Sequence, residues 1–453
     1  MTAIIGILNR AAVAIAGDSA TTVGNSEKSK IYNNANKIFQ LTQNNPVGIA
    51  IYGNADLFGI PWETIIKMYK AQFKSVAFDE LHEYASDFLK FLSENIIKFV
   101  APGEQEKLIR LISNRIINEI KIKIDENIAL AIEEGQDDDE DPITPELSLD
   151  FAIDHFTTII EGFKVIPSFS EYRPEAFRND YAQVVGDEVA QIIADIPITP
   201  EQISKIESLV YLISCREFFY ELNTGIVISG FGQENIFPRL VSYEIGGIVN
   251  NTIRYKYGRE STITNESSTD ITAFGQTDSI WGFLNGINPQ MQLQINELMD
   301  LTLQDFSQIV LDKLTSANLN QEDEEGTQKL PLISPAQALA LKAAFDEAAT
   351  NLANNLQQEV NKVKLHGNHF PILDTLMYLS KEDMAEMAES LINLSYLQRR
   401  VSFADESVGG PIDVVLITKG DGFIWIKRKH YFKPESNLNY LANVLKTQDQ
   451  RIK

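Results

Sequence analysis

Thr2-Ala-Ile-Ile-Gly-Ile-Leu-Asn-Arg-Ala-Ala-Val-Ala-Ile-Ala-Gly-Asp18 is the stretch that decides how this chain folds. Two short apolar runs, Thr2 to Leu8 and Ala11 to Ala16, flank the polar pair Asn9-Arg10. Neither run alternates with polar residues, so they predict a hairpin buried on both faces. A second pair follows at Lys37-Ile-Phe-Gln-Leu41 and Val47-Gly-Ile-Ala-Ile-Tyr52, joined by Thr42-Gln-Asn-Asn-Pro46. The chain is thus expected to open with four strands. After Gly53-Asn-Ala-Asp56 the apolar period becomes helical, through Trp62, Ile65, Ile66, Tyr69 and Phe73, then Leu81, Tyr84, Phe88, Leu92 and Ile96. Those spacings predict two helices covering one face of the sheet.

A third helical pattern, from about Gln105 to Ile132, runs into the acidic block Glu133 to Asp141. That block lacks the alternating ligands and the glycine of a calcium loop, so it reads as a solvated loop. Thr199-Pro200-Glu-Gln202 is a helix start: threonine can cap free amides, proline suits the first turn and glutamine can reach back. Strand signals return at Gly225 to Phe231, Pro238 to Glu244 and Asn250 to Lys256, a meander of three strands. Helical pattern resumes from about Gln276 to Leu314, breaks at the acidic Gln321 to Gly326, restarts at Ser334-Pro335-Ala-Gln337, and recurs from Ser380 to about Leu397. A last hairpin joins Pro411 to Thr418 with Phe423 to Lys427 through Lys419-Gly-Asp-Gly422. Helices segregated between runs of strands point to an α+β fold, a four-layer α/β/β/α sandwich. The expected organisation is one domain over 1–453, with helical insertions at 101–222 and 286–379.

The 453 residues carry 39 basic and 63 acidic side chains, a formal charge of −24. Such a charge repels nucleic acid phosphates and anionic lipid, so neither nucleic acid nor a membrane is expected as a partner. The one cysteine, Cys215, excludes an intramolecular disulfide and a thiolate-rich metal site, and its apolar helical setting suits a buried inert thiol. No run reaches the roughly 18 consecutive apolar residues of a membrane helix, and Met1 to Asn9 has no basic leader. A cytoplasmic protein is expected, with no cofactor and no metal.

Several residues resemble the N-terminal third of proteasome β-subunits and of the peptidase subunit of the bacterial two-component ATP-dependent protease. They are Thr2 after the initiator methionine, Ala16-Gly17-Asp18 closing the first hairpin, Gly24-Asn25, Asn36-Lys37-Ile38 and Tyr52-Gly53-Asn-Ala-Asp56. These families are N-terminal nucleophile hydrolases, whose fold is the four-layer sandwich. The resemblance continues more weakly through Gly225 to Tyr257, Ala273-Phe-Gly275 and Asp405-Glu-Ser-Val-Gly409-Gly410, and covers about half the chain; the helical insertions do not carry it.

The chemistry explains why such residue types are needed. A threonine hydroxyl is a weak nucleophile, and its own α-amine can activate it by taking the proton, directly or through a water. With a pKa of about 7.7–8.0, that amine needs far less perturbation than a lysine. Met1 must be removed first, which a small second residue permits. By resemblance, Thr2 is the nucleophile and Lys37 the cation beside it, favouring the neutral amine and the developing alkoxide. Asp18 then holds Lys37 in place, a backbone N–H near Gly53 stabilises the oxyanion, and Asp405 matches a further carboxylate.

The pattern departs from the family at two serines that help hold the amine and a water. Gln276 stands after Gly275, with Thr277 next, and Val408 stands before the paired glycines, with Ser407 one position earlier. Ser407 and Thr277 are candidate substitutes, although a one-residue shift on a strand turns a side chain to the other face. The resemblance implies a threonine-type peptidase acting on polypeptides, assembled as a homo-oligomer, with an ATPase unfoldase as a candidate partner. A small-molecule amidohydrolase and an inactive scaffold or binding protein are the rival readings. His366-Gly-Asn-His369 reads as a turn or helix end rather than a zinc site, and Lys427-Arg-Lys-His430 as a solvated strand end first and a docking patch second.

Overall fold

The computed structural model describes residues 2–25, 28–73, 77–133, 145–220, 223–316, 335–401 and 408–430, together with 432, 436 and 437. Of the acidic segments expected at 133–141 and 321–326, only Glu133, the last residue of a helix, is among these residues. In chain order the first strands are β1 (Ala3–Asn9), β2 (Ala12–Gly17), β3 (Thr21–Asn25), β4 (Lys28–Tyr32), β5 (Ile38–Gln40), β6 (Val47–Gly53), β7 (Asp56–Leu57) and β8 (Ile60–Pro61). Helices α1 (Trp62–Gln72), α2 (Leu81–Asn95), α3 (Pro102–Glu133), α4 (Pro145–Glu161), α5 (Pro174–Ile192) and α6 (Pro200–Cys215) follow. Then come β9 (Thr224–Gly230), β10 (Arg239–Val249), β11 (Thr252–Thr262) and β12 (Thr269–Gly275). The chain continues through α7 (Asp278–Asn285), α8 (Pro289–Ser316), α9 (Pro335–Lys364), α10 (Phe370–Leu376) and α11 (Lys381–Val401) to β13 (Asp413–Thr418) and β14 (Gly422–Lys427).

The fold is mixed α and β with antiparallel sheets. One five-stranded sheet runs β12-β1-β2-β13-β14 and a second runs β11-β10-β9-β6-β5. The opening hairpin pairs Ile4 with Gly17 and Leu8 with Val13, and Asn9 Oδ1 closes its turn by accepting from the amides of Ala11 (2.9 Å) and Ala12 (3.1 Å). Period-two geometry sends Ile4, Gly6 and Leu8 to one face and Ala3, Ile5 and Ile7 to the other. Every residue from Ala3 to Asn9 is buried, as the unbroken apolar run predicts.

The two sheets share a core. Ile4, Leu8, Val13, Ile15, Val415 and Ile417 of the first pack with Ala50, Val227 and Leu240 of the second. Gly6 permits the close approach, because a Cβ there would stand 2.8 Å from Leu240 Cδ1. On the other side of the second sheet, Trp62, Ile65, Tyr84 and Phe88 of α1 and α2 pack against Ile49, Ile228 and Val241. The indole N–H of the fully buried Trp62 donates to Thr224 Oγ1 at 3.0 Å, which satisfies the one polar group that its burial would otherwise strand.

Strands were expected in fewer places than they occur. The ribbon β3–β4 pairs Thr21 with Tyr32 and Asn25 with Lys28, and β12 pairs along all of β1 from Ala3↔Gly275 to Asn9↔Thr269. Thr-Thr-Val-Gly-Asn and Lys-Ser-Lys-Ile-Tyr have no apolar alternation to announce a strand, and β12 is placed by its partner β1 rather than by its own pattern.

Helices α3 to α6 form an apolar cluster of their own, with Ile109, Ile116, Ile153, Val185 and Leu209 buried in it. The start of α6 is a complete capping box: Thr199 Oγ1 accepts from Gln202 N (3.2 Å) and Gln202 Oε1 accepts from Thr199 N (3.0 Å). At the other end, the buried Arg254 donates to the carbonyls of Ile213 (2.7 Å), Ser214 (2.8 Å), Phe218 (3.0 Å) and Gly246 (3.1 Å). A cation suits the negative end of the helix dipole, and burial brings this guanidinium down to about 10. Burial likewise pushes the Cys215 thiol up to about 12, which leaves it protonated and inert at neutral pH.

The described residues divide into two compact units, the first within 1–275, 381–392 and 405–453 and the second within 276–380 and 393–404. In the second, α7 ends at Gly286, whose φ of +73° is the left-handed cap that a glycine adopts without strain. Asn368 Nδ2 donates to the Asn285 carbonyl at 3.3 Å, from a π-helical turn, Leu365–His369, between α9 and α10. His366 and His369 belong to that turn. Among the described residues no helix is long and apolar enough to cross a membrane.

Candidate active site

The site grows from the ends of the central strands of the first sheet. Thr2 immediately precedes β1 and is buried. Its neighbour Ala3 is tied to Asp18 in both directions: Ala3 N donates to Asp18 Oδ1 at 3.0 Å, and Asp18 N donates to the Ala3 carbonyl at 3.2 Å. The hairpin therefore brings Asp18 back beside the start of the chain. On the other side of β1, Gly275 of β12 faces Ala3 with φ +79°, and a Cβ on it would fall 1.9 Å from the Thr2 carbonyl oxygen. Only glycine fits there, by conformation and by space.

Asp18 is saturated with donors. Oδ1 also accepts from Lys37 Nζ at 2.7 Å, while Oδ2 accepts from the amides of Ala20 (3.1 Å) and Gly409 (3.2 Å). Lys37 Nζ donates a second bond to the Ala20 carbonyl at 2.6 Å. The Lys37 backbone is held by β6, through Ile51 N on its carbonyl at 2.9 Å. The carboxylate side chain is 1% exposed and the ammonium side chain 6%. Burial lowers the Lys37 pKa below its usual value; the charge and hydrogen bond of Asp18 oppose this, and the charge of Lys429 adds to it. A lysine so placed is a fixed cation that gives up its proton more readily than a surface one.

Thr2, Lys37 and Gly53 line one cavity of about 150 Å³, together with Tyr52, Asn54 and Glu63. Gly53 closes β6 with φ +81°, and a Cβ on it would stand 2.4 Å from the Asn223 carbonyl, so this turn too requires glycine. Tyr52 lies across from Gly225, stacks on Phe274 with centroids 5.4 Å apart, and has its phenol pushed up by burial and by Glu244. Glu63 closes the far wall. Burial works to raise its carboxyl, yet hydrogen bonds from Lys67 and Asn36 and the charges of Lys67 and Arg428 outweigh it and hold the pKa below the ordinary carboxylate value.

Four of the residues singled out from sequence thus come together: Thr2, Asp18, Lys37 and Gly53. Asp405 and Ser407 lie outside the described residues. Thr277 belongs to the second unit, half-buried at the head of α7, where its carbonyl accepts from Trp281 N at 2.9 Å. Val408, which stands in place of a serine, is buried. Glu63 was not anticipated; the signal was an acidic residue in the first turn of a helix that begins just after the Gly53 turn. Asp413 and Lys429 were not anticipated either. Lys429 was read within a solvated basic cluster, but its side chain is 11% exposed and ion-paired to Asp413, 4% exposed, whereas Lys427, Arg428 and His430 are exposed.

No family model matches this sequence and no curated protein matches it. Among solved structures, the chain is similar to a Gly-1 mutant of Anbu from Hyphomicrobium sp. strain MC1 and to Anbu from the same strain, at 11% identity in each case. The matches cover 100% of this chain and 98% of the other, with TM-scores of 0.25 and 0.24. Likenesses that distant carry no argument about the site, which stands on its own geometry.

Proposed function

We propose that this chain is a proteasome-like N-terminal nucleophile hydrolase of the threonine type, built on a four-layer α/β/β/α sandwich. It cleaves peptide bonds through an acyl-enzyme on Thr2 once Met1 has been removed. One observation carries the reading: Thr2, Lys37 and Gly53 share a cavity, and Lys37 is locked at 2.7 Å on the buried Asp18 that also binds the amide next to Thr2.

The freed α-amine of Thr2 takes the hydroxyl proton, and Oγ1 attacks the scissile carbonyl. The Lys37 ammonium favours the neutral amine and the growing alkoxide, and a backbone N–H at the Gly53 turn receives the oxyanion. The amine then passes its proton to the leaving nitrogen, and water, deprotonated by the same amine, hydrolyses the ester. Asp405 and Ser407 are proposed to complete the site. The substrate class is a polypeptide, the protein works in the cytoplasm as a homo-oligomer, and an ATPase unfoldase is the candidate partner. The helices at 101–222 and 286–379 are insertions into the sandwich.

The test begins with the intact mass of the purified native protein, which should show Thr2 as the first residue. Thr2→Ala should abolish both peptide hydrolysis and capture of an electrophilic peptide probe while the fold survives; Thr2→Ser should keep part of each. Quantitative retention of Met1, or full activity in Thr2→Ala, overturns the assignment.

A further inference from the structure

Behind the Lys37–Asp18 pair lies a second buried ion pair that the hydrolytic reading does not use. Asp413 opens β13 directly opposite Gly17, the residue before Asp18. Pairing across the ladder and one step along the chain put the α-carbons of Asp413 and Asp18 within about 6–7 Å. Asp413 is held by Lys429 twice: the Lys429 amide donates to Oδ1 at 2.8 Å and its ammonium to Oδ2. The β13–β14 register sets up this contact. It runs evenly from Thr418↔Gly422 to Val415↔Trp425, then skips to Val414↔Lys427, so that Ile426 is an extra residue. A bulge of that kind re-aims the residues beyond it.

Two lysines and two aspartates are therefore withdrawn from water close together, Lys37 with Asp18 just past the end of β2 and Lys429 with Asp413 at the start of the neighbouring strand β13. Taking four charges out of water is costly even in pairs, and a hydrophobic replacement of the outer pair would often be as stable. We propose that Asp413–Lys429 is the outer part of the Thr2 site: Lys429 is a positioning residue that presses a second positive charge toward Lys37, and Asp413 anchors it, so that the pair sets how readily Lys37 gives up its proton. The functional part of this rests on the reading of Thr2 above; the electrostatic part does not. The direction agrees with the charge of Lys429 being among the influences that lower the Lys37 pKa. The charged groups around Lys37 are Asp18 at the end of β2, Lys429 with its partner Asp413 at the β13–β14 hairpin, Glu63 of α1 in the same cavity, and the Thr2 amine once it is freed.

The test reads Lys37 directly. In protein labelled at lysine Cε and Nζ, with the Lys37 signal assigned by Lys37→Arg, nuclear magnetic resonance follows its titration in full-length protein. Lys429→Met should raise the midpoint by about one pH unit and Asp413→Asn should lower it, because each leaves the opposite charge of the outer pair facing Lys37. Lys429→Arg, which keeps the charge, should leave the midpoint in place. If Lys429→Met does not fold, Asp413→Asn/Lys429→Met, which removes both charges, should still raise the midpoint by a smaller amount. Opposite shifts from the two single variants cannot arise from loosened packing alone. Unmoved midpoints, or shifts of the same sign, overturn the proposal whatever the protein hydrolyses. If the midpoints move as stated while Thr2→Ala keeps full activity, the electrostatic coupling stands and the hydrolase reading fails. If both hold, the alkaline limb of the hydrolysis profile, where the Lys37 ammonium is lost, moves with the Lys37 midpoint in each variant, and an alkaline limb that stays put overturns the functional half.

Discussion

Lys37 and Asp18, 19 positions apart in sequence, meet at 2.7 Å with both side chains almost wholly buried. The pair ties the start of β5 to the end of β2, and through Asp18 to the amide of Ala3, so one carboxylate organises the strand ends around Thr2.

Asp18→Asn should destabilise the protein by about 3 kcal/mol, since it leaves the Lys37 ammonium buried without its counter-charge. Asp18→Asn/Lys37→Met, which removes both charges, should recover part of that loss without recovering hydrolysis. Urea unfolding of the three proteins at pH 7 checks it; an Asp18→Asn midpoint equal to that of the parent would show that the pair does not hold these strands.

Gly275→Ala should abolish any activity at Thr2. The residue needs φ +79° and a Cβ would overlap the Thr2 carbonyl, so the strand end must shift as well as pay a left-handed penalty of about 1–2 kcal/mol. Gly282→Ala, in α7, where the nearest atom is at an ordinary contact distance of 3.6 Å, is the control and should be neutral or slightly stabilising. A crystal structure or a turnover assay of the two variants distinguishes them.

The Glu63 carboxyl is held below its ordinary value in the folded protein. Its contribution to stability is therefore fully present above the unfolded carboxyl value of about 4.3 and is lost as pH falls through the lower folded value. Glu63→Gln should melt below the parent at neutral pH, with the gap closing as the pH drops below about 4. Melting curves of both proteins across that range test it, and a gap that widens toward acid would refute the sign.

Thr199→Ala should weaken the first turn of α6 by about 1 kcal/mol, equivalent to a roughly fivefold faster exchange of the Gln202 amide. Gln202→Ala should free the Thr199 amide instead. Hydrogen exchange read at single residues separates the two halves of the capping box.

Much of the architecture is legible in the chain. The unbroken apolar runs from Ala3 to Leu8 and Ala12 to Ala16, too short for helices and split by a polar turn, read as strands covered on both faces, because alternation is what exposes one face to water. Thr199-Pro200-Glu-Gln202 states its helix start in full, since a capping box is satisfied within four residues. Thr2, Asp18, Lys37 and Gly53 are singled out by the resemblance, and local pattern places each of them at the end of a strand or in a turn.

What local pattern could not locate is anything that depends on a partner far along the chain. β12 is a strand because β1 offers it an edge, and the polar ribbon β3–β4 carries no periodic signal. Lys429 looks like its exposed neighbours Lys427, Arg428 and His430 until the extra residue Ile426 re-aims it onto Asp413. Composition and hydrophobic period settle which segments must leave water, since that follows from each segment's own side chains. Which charge meets which inside the protein is decided only when strands pair, because burial of a lysine is tolerable only where a carboxylate arrives from another strand to receive it.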